Sequence, residues 1–443
     1  MITYIDRVCF GAAAPLMARD LGLTSVAELK GAFTAFAIAY ALFEVPAGWM
    51  GDRLGPRPIL IRIVLWWSAC TALTGLVGLK LGTWSLGGLG TLVALRFLFG
   101  AGEAGAYPNI TRALHDWFPI QQWEFAQGLI WMAGRISGGV TPLIWTVLVS
   151  GTAVSAPLMH WRTTFLVFGG LGVVWCVLFR WKFRDPPSDS RAEHRQEAAA
   201  TKEADCSPLG KPKHPGHSQV AWRKLLTNPS LWFLCGTYSL LNYGWVFNIT
   251  YFPAYLQQRF HLPPSDVMGA VYLGAPLWVG SLGCLSGGLC VNWIDHYVRD
   301  RRKSRRILGF FAMTLCALCW WNARSAQSLH TFCISVSLAA FCVDLTLGAA
   351  WASCQDIGKQ SAAVTAAIMN TLGTLGAAAA SWQTGSMVEH SIRNAARTAN
   401  LSMDRLPPDL LDLATFDGFQ DVFLTYILMY LAAAVCWCFV RPR

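Results

Sequence analysis

Charge is scarce in this sequence. Only 14% of the 443 residues are Asp, Glu, Lys or Arg, whereas 54% are hydrophobic, and the mean hydropathy is +0.39. Segments of about 20 apolar residues recur along the whole chain, which is typical of helices that cross a membrane repeatedly. The strands of a membrane β-barrel are far shorter than these segments. The composition therefore predicts an all-α membrane protein.

The motifs of an enzyme, a metal site or a nucleic-acid binder are also lacking. The sequence contains no recognisable pair of nucleophile and base, no set of metal ligands and no phosphate-binding loop. Its 14 cysteines are scattered through apolar segments, as small core residues rather than a disulfide framework. The basic residues behind the net charge of +10 lie in the short loops on one side of the predicted membrane protein. We therefore predict no enzyme activity, no cofactor, no metal and no nucleic-acid partner.

The apolar segments number roughly twelve. They cover residues 2–19, 31–50, 58–79, 85–107, 123–148, 162–182, 230–257, 267–294, 306–325, 329–353, 360–385 and 418–440. A stretch rich in charge and proline separates the two groups of six and is typical of a solvated linker. We predict two six-helix halves, residues 1–183 and 230–443, joined by a cytoplasmic linker over residues 184–229.

Lysine and arginine predict the orientation of the chain. They cluster in the even-numbered loops and at the C-terminus, whereas the opposite loops carry isolated ones such as Lys30 and Lys80. Arg393, Arg397 and Arg405 are the exception. Because cytoplasmic loops carry the excess of basic residues, both termini should be cytoplasmic. The expected location is the cell membrane, crossed several times.

Two charged residues lie inside one apolar segment, at Arg96 and Glu103. A charge at that depth costs roughly 3 kcal/mol or more and by default faces a partner or a watery cavity. On a helix these two residues share a face. The glycines at 100, 102 and 105 would let a neighbouring helix approach closely. They also fit the dinucleotide fingerprint G-x-G-x-x-G, but that motif requires a preceding strand, where an apolar helix is predicted here.

Two further charges lie within the first segment. Asp6 and Arg7 are consecutive, so on a helix they point about 100° apart. We expect Asp6 to face Arg96 or Glu103 and Arg7 to face a cavity. A fixed packing network is the alternative for Asp6, Arg96 and Glu103, although three intramembrane charges are costly for packing alone.

Arg135 lies in the middle of the fifth segment, with no acid nearby in sequence. Its guanidinium could bind an anionic substrate through two parallel hydrogen bonds. It could equally pair with an acid on another helix, for which Asp344 is a candidate. Both possibilities stay open at the level of sequence.

The two halves also echo each other. Gly48-Trp-Met-Gly-Asp52-Arg-Leu-Gly-Pro-Arg57 closes the second segment, and Gly288-Leu-Cys-Val-Asn292 lies at the end of the eighth with matching spacing. A repeat of this kind is typical of transporters whose substrate site lies near the midplane between the halves.

The loop from Gly48 to Arg57 resembles the G-x-x-x-D-R-x-G-x-R motif of the major facilitator superfamily. Other residues resemble its anion:cation symporter branch: Tyr4-Ile-Asp6-Arg7, Tyr40-Ala-Leu-Phe-Glu44, Arg96 to Ala104, Trp117-Phe-Pro, Asp344, Trp351, Asp356 and Met369-Asn370. The resemblance covers nearly the whole chain. That branch contains proton-coupled importers of sugar acids and carriers of organic anions and phosphate.

The resemblance implies roles for individual residues. Asp6 and Glu103 match acids that carry the coupling protons, and Arg96 belongs with them. Arg7 matches an arginine that helps to hold the substrate carboxylate, and the residues matching those around the substrate are Tyr4, Tyr40, Trp351 and Asn370. Arg135 is a further predicted substrate-binding residue, because it lies in the middle of a predicted membrane span. The predicted gating residues are Asp52, Arg53 and Arg57.

Three departures from the family pattern stand out. Asn292 replaces an aspartate of the second-half motif. Gln121 to Glu124 occupy a predicted loop where the family usually has a basic residue. Gly348 and Ala350 offer no hydroxyl ahead of Trp351, where carriers of sugar acids use one.

The sequence therefore predicts a secondary active transporter that imports an organic anion, such as an aldonate or hexuronate, together with protons by alternating access. The alternatives are an exchanger of phosphate-type or other organic anions, and a non-transporting membrane receptor on the same fold. The expected partners are the small anion, protons and the lipid bilayer, with the protein functional as a monomer.

Overall fold

A computed structural model describes residues 2–23, 26–81, 84–85, 87–150, 156–183, 220–260 and 267–441. Most of the predicted linker, residues 184–219, lies outside these ranges. The described α-helices are α1 (Ile2–Asp20), α2 (Lys30–Leu54), α3 (Pro56–Leu76), α4 (Leu89–Glu103), α5 (Ala106–Trp117), α6 (Trp123–Trp145), α7 (Trp161–Lys182), α8 (Trp222–Leu226), α9 (Pro229–Thr250), α10 (Phe252–Phe260), α11 (Val267–Val298), α12 (Arg301–Ser325), α13 (Leu329–Leu345), α14 (Leu347–Gly358), α15 (Ala362–Thr398) and α16 (Pro408–Phe439). The strands β1 (Lys80–Leu81) and β2 (Trp84–Ser85) form one antiparallel pair.

Helices dominate the described chain, as the composition predicts. Nine helical stretches within the described ranges are long and apolar enough to cross a membrane. They are Lys30–Leu54, Pro56–Leu76, Leu89–Trp117, Ile120–Val149, Trp161–Lys182, Val271–Val298, Arg301–Ser325, Leu329–Thr398 and Pro408–Phe439. The predicted first and seventh spans form helices α1 and α9 but fall outside this set. The count of twelve therefore stays a prediction.

The described residues form two compact units. The first unit draws on residues 1–123, 140–225 and 354–368, and the second on residues 124–139, 226–353 and 369–443. Most of α6 therefore packs with the later part of the chain. The end of α14 and the start of α15 pack with the earlier part.

Glycines let α4 and the turn that follows it pack closely against α2 in the first unit, as predicted. A Cβ at Gly100 would lie 2.5 Å from the carbonyl oxygen of Phe36. A Cβ at Gly105 would lie 2.5 Å from the Cβ of Ala47. The predicted segment 85–107 is, however, not one helix. It starts with β2, and α4 ends at Glu103 before α5 begins at Ala106.

Aromatic rings fill the core of the second unit. The ring of Phe247 on α9 lies 5.3 Å from those of Trp320 and Phe423, between α12 and α16. Glycines of α11 again permit close packing, because a Cβ at Gly283 or Gly287 would collide with a carbonyl oxygen of α13. Helix α13 ends at Leu345 and α14 begins at Leu347, so the chain breaks its helix inside an apolar segment.

Candidate functional site

Arg7 and Glu103 form an ion pair in the first unit. Arg7 Nε on α1 donates to Glu103 Oε1 on α4 at 2.8 Å. The Glu103 side chain is fully buried, whereas that of Arg7 keeps 28% of its surface exposed. Arg7, which was expected to face a cavity, thus has an acid beside it, because α1 and α4 bring the two predicted residues together.

Tyrosines surround this pair. The guanidinium of Arg7 lies over the ring of Tyr40, 4.7 Å from its centroid. Tyr4 and Tyr107 lie within electrostatic range of Arg7. Tyr107 is not among the residues predicted from sequence, although it lies next to Pro108 in the same stretch as Glu103. The stacked ring holds the flat guanidinium in one orientation, and cation–π contacts of this kind favour a retained positive charge.

Asp6 and Arg96 lie beside the pair without bonding to it. Asp6 is only 3% exposed, and within the described part of the chain neither of its carboxylate oxygens has a hydrogen-bond partner. Its charged neighbours are Glu103 and Arg96, as predicted. The guanidinium of Arg96 lies over three rings, at 4.1 Å from Phe10, 4.7 Å from Phe36 and 4.8 Å from Phe99.

The cluster thus comprises two acids and two arginines, whose charges balance when all four are ionised. A carboxylate without hydrogen bonds is costly when ionised in such surroundings and less costly when protonated. That Asp6 and Glu103 take up and release protons stays a prediction.

Arg135 pairs with Asp344 in the second unit, the alternative that the sequence left open. Arg135 Nε and Nη2 donate to the two oxygens of Asp344 at 2.8 and 2.7 Å. The Asp344 side chain is fully buried and that of Arg135 is 5% exposed. The ring of Trp245 lies against the guanidinium, 3.8 Å from the centroid. This is a bidentate pair with a stacked aromatic, the geometry that arginine favours.

Trp351 and Asn370 also lie in the second unit. Trp351 is fully buried, its Nε1 donates to the hydroxyl of Tyr238 at 3.3 Å, and its ring lies 5.3 Å from Trp131. Asn370 on α15 is 9% exposed. A Cβ at Gly348 would collide with the backbone of Glu124 on α6. Position 348 therefore serves helix packing, which explains the missing hydroxyl.

Asp52 caps the start of α15. Its carboxylate accepts hydrogen bonds from the backbone amides of Ala363 at 3.1 Å and Val364 at 2.9 Å. Arg112 donates to the same carboxylate at 3.2 Å and also bonds to the carbonyl of Gln360. Arg112 could not be selected from sequence, because nothing in its local sequence marks a residue 60 positions from Asp52.

The other two predicted gating residues make different contacts. Arg53 lies over the ring of Trp49 on its own helix, 5.3 Å from the centroid. Arg57 donates to the carbonyl of Arg180 at the end of α7, at 2.9 Å. Neither contact involves Asp52.

The contacts of Glu124, like those of Arg112, could not be predicted from its position in the sequence. It was expected in a loop, but it lies in the first turn of α6 and is fully buried. Arg301 donates to both of its oxygens, with the shorter contact at 2.6 Å, and Arg305 bonds to it as well. Arg301 also donates to the side chain of Asn292 at 2.7 Å. The asparagine that replaces aspartate thus still accepts a hydrogen bond from the basic cluster.

A cavity of about 290 Å³ in the second unit lies away from these clusters. It is lined by residues of α10 and α16, among them Arg259, Asp409 and Asp412. None of the predicted site residues lines it. Among the described residues, no three His, Cys, Asp or Glu side chains are placed to hold a metal ion.

Comparisons with known proteins show which proteins the chain resembles. Residues 1–381 match the family model of the Major Facilitator Superfamily. The chain is 30% identical over 372 residues to a probable sulfoacetate transporter of Cupriavidus necator, which covers 84% of this chain and 80% of the relative. It is 26% identical over 372 residues to a hexuronate transporter of Bacillus subtilis, which covers 82% of this chain and 78% of the relative.

The solved structure of the proton:xylose symporter XylE has a similar fold, with a TM-score of 0.70 at 14% identity over 99% of this chain and 93% of the other. The curated homologues are transporters of organic anions and sugar acids, and none is an enzyme. These matches confirm the resemblance that the motifs indicate. A chain with this family match, these homologues and these apolar helices is a multi-pass membrane transporter of the Major Facilitator Superfamily.

Proposed function

We propose that the protein imports a small organic anion together with protons across the cell membrane by alternating access. The observation that supports this most strongly is the buried ion pair of Arg7 and Glu103. Glu103 is the carboxylate that Arg7 contacts within the described chain, and a substrate carboxylate of the same chemistry can take its place. Exchange of one for the other requires Glu103 to be neutral, because two carboxylates on one guanidinium leave a net negative charge in a dry interior.

Protonation of Glu103 therefore permits the anion to bind at Arg7, and Asp6 offers a second proton site beside Arg96. Tyr40, whose ring lies against Arg7, and Tyr4 are proposed substrate-binding residues near Arg7. Trp351 and Asn370 are further proposed substrate-binding residues. The names of the homologues support a carboxylate or sulfonate of low molecular weight, including aldonates and hexuronates.

Asp52, with Arg112, is proposed to act as a gating element. The carboxylate holds the first amides of α15 and so stabilises one conformation of this end of the molecule. Arg53 and Arg57 remain predicted gating residues that act through other contacts. The remaining parts of the proposal are a cell-membrane location with cytoplasmic termini and a monomeric functional state.

An exchanger of phosphate-type anions is the second candidate. A phosphate-type substrate is supported by the absence of a hydroxyl at Ala350 and by a relative from Arabidopsis thaliana named as a sodium-dependent phosphate transport protein, 24% identical over 445 residues. Such a substrate has no polyol chain to bind.

Uptake into proteoliposomes tests the proposal. Radiolabelled sulfoacetate, D-galactonate, a hexuronate and phosphate are supplied outside vesicles with or without an inward proton gradient. We expect accumulation of at least one organic anion only with the gradient. Accumulation of phosphate alone, or uptake that needs sodium rather than protons, would favour the second candidate. No uptake of any anion would favour a non-transporting receptor.

A further inference from the structure

The pair of Arg135 and Asp344 lies in the second unit, and the proposed function does not use it. Both oxygens of Asp344 accept from one guanidinium, and both side chains are buried. The two residues are 209 positions apart and belong to α6 and α13. A buried ion pair contributes little net stability compared with apolar packing, so its presence at membrane depth points to a function.

Aromatic rings hold the guanidinium independently of its carboxylate. Trp245 of α9 lies 3.8 Å and Trp131 of α6 lies 5.8 Å from the guanidinium carbon, measured to the ring centroids. Trp351 extends the same surface through its contact with Trp131. A cation that is stacked in this way keeps its position when its anionic partner is exchanged.

Asp344 lies near the end of its helix. It is the next-to-last residue of α13, just before the break at Thr346 that separates α13 from α14. Gly280 of α11 leaves room for its carboxylate, because a Cβ there would collide with Asp344 Oδ2. Broken helices at membrane depth commonly line the sites at which transporters bind ions and substrates.

The charges around Asp344 determine what can bind there. Within the described part of the second unit, the titratable groups that face it are Arg135 from α6 and the Cys284 thiol from α11, while α9 contributes the neutral Trp245. An external anion added to the intact pair would give the buried site a net negative charge. The same anion added to a protonated Asp344 leaves the site neutral.

We propose that Asp344 is an internal anion that occupies Arg135 in the absence of substrate, and that a substrate anion replaces it by binding with one proton. The proton comes from water and resides on Asp344 as a neutral carboxylic acid, and the anion accepts the two hydrogen bonds that Arg135 had given to Asp344. Asp344 is then a third proton site and Arg135 an anion ligand. This inference rests on the proposed function, since it requires an organic anion to bind.

The test counts protons in the purified full-length protein. Titration calorimetry with sulfoacetate and with D-galactonate, in buffers of different ionisation enthalpy near neutral pH, gives the number of protons taken up with each anion. We expect Asp344→Asn to take up one proton fewer than wild type. As the pH rises, the affinity of wild type for the anion should fall about tenfold more per pH unit than the affinity of Asp344→Asn does. This difference is the linkage expected for one proton. Asp300→Asn removes an exposed carboxylate and should leave the count unchanged.

A double variant covers the possibility that Asp344→Asn alone does not fold. Arg135→Gln with Asp344→Asn removes both charges and leaves neither unpaired. We expect it to fold and to bind the probes at least tenfold more weakly. Wild-type affinity and proton count in this variant, or an unchanged count in Asp344→Asn, would overturn the inference while leaving anion transport intact. Failure of wild type to bind either probe and to transport any anion would overturn both.

Discussion

At the scale of single residues, buried arginines are the most informative feature of this protein. Arg7, Arg96 and Arg135 each lie against aromatic rings, and two of them also bond to a carboxylate. The rings stabilise the cation without neutralising it. In our proposals Arg7 and Arg135 bind an anion, whereas Arg96, which lies over three phenylalanine rings, balances the charge of Asp6 and Glu103.

The role of Arg7 can be measured in the Glu103→Gln background, because removing Arg7 there does not leave a charged Glu103 without its partner. In Glu103→Gln, Arg7 keeps a neutral hydrogen-bond acceptor. We expect Arg7→Gln added to Glu103→Gln to weaken binding of the organic anion at least tenfold, about the value of one charged hydrogen bond. Calorimetry on the purified single and double variants gives both affinities. Equal affinities would remove Arg7 from the substrate site.

At the scale of helices, glycine determines how closely α4 can pack. Gly100→Ala would place a methyl group 2.5 Å from the Phe36 carbonyl oxygen. Overpacking of this kind costs about 1–3 kcal/mol. Gly90→Ala lies in the same helix with nothing within 4 Å of the added group, and should leave stability unchanged or raise it by about 0.5–1 kcal/mol. The melting temperatures of the two variants in detergent compare them. A drop as large in Gly90→Ala as in Gly100→Ala would contradict the packing account.

The cap that Asp52 provides to α15 predicts a kinetic effect. Asp52→Asn weakens the hydrogen bonds from the amides of Ala363 and Val364, which lie 311 and 312 positions along the chain from Asp52. The substitution therefore changes the relative stability of conformations rather than the substrate site. We expect slower exchange with little change in substrate affinity. Asp300 caps α12 through the amides of Arg302 and Lys303, both at 3.1 Å and within its own helix. Asp300→Asn is therefore the matched control and should exchange at the wild-type rate.

Exchange of labelled for unlabelled anion across the vesicle membrane measures this prediction. The gating proposal for Asp52 would be wrong if Asp52→Asn lost affinity and kept the wild-type rate. Equal slowing of both variants would point to a general effect of charge at the helix ends.

Features that depend on local residue patterns could be predicted from the sequence, whereas features that depend on contacts between distant residues could not. Apolar periodicity places most helices, and the position of Asp6, Arg96 and Glu103 deep within apolar segments already indicates that they form a cluster. The predicted segment 85–107 breaks between α4 and α5, at Ala104 and Gly105, and apolar periodicity alone does not place that break. The same holds for Glu124, whose arginine partners lie 177 and 181 positions away. Arg135 and Asp344 could be offered only as an open alternative for this reason.

At the scale of the whole molecule, transport depends on the net charge that moves with each anion. The buried acids and arginines described above are paired or charge-balanced, so the proposed mechanism matches each substrate anion with protons. A monoanion accompanied by more than one proton carries positive charge inward. Each net charge then gains about 2.3 kcal/mol from a potential of about 100 mV, or about 50-fold in accumulation. One proton per monoanion would gain nothing from voltage.

The most direct measurement is anion uptake into proteoliposomes under an inside-negative potassium diffusion potential, for wild type and Glu103→Gln. Wild type should accumulate a monoanion more strongly as the potential increases. Glu103→Gln mimics the protonated acid, so it should bind and exchange the anion but fail to accumulate it on a proton gradient. If Glu103→Gln concentrates the anion as well as wild type does, Glu103 is not a coupling site. If wild-type uptake ignores both the proton gradient and the voltage, proton-coupled import is contradicted.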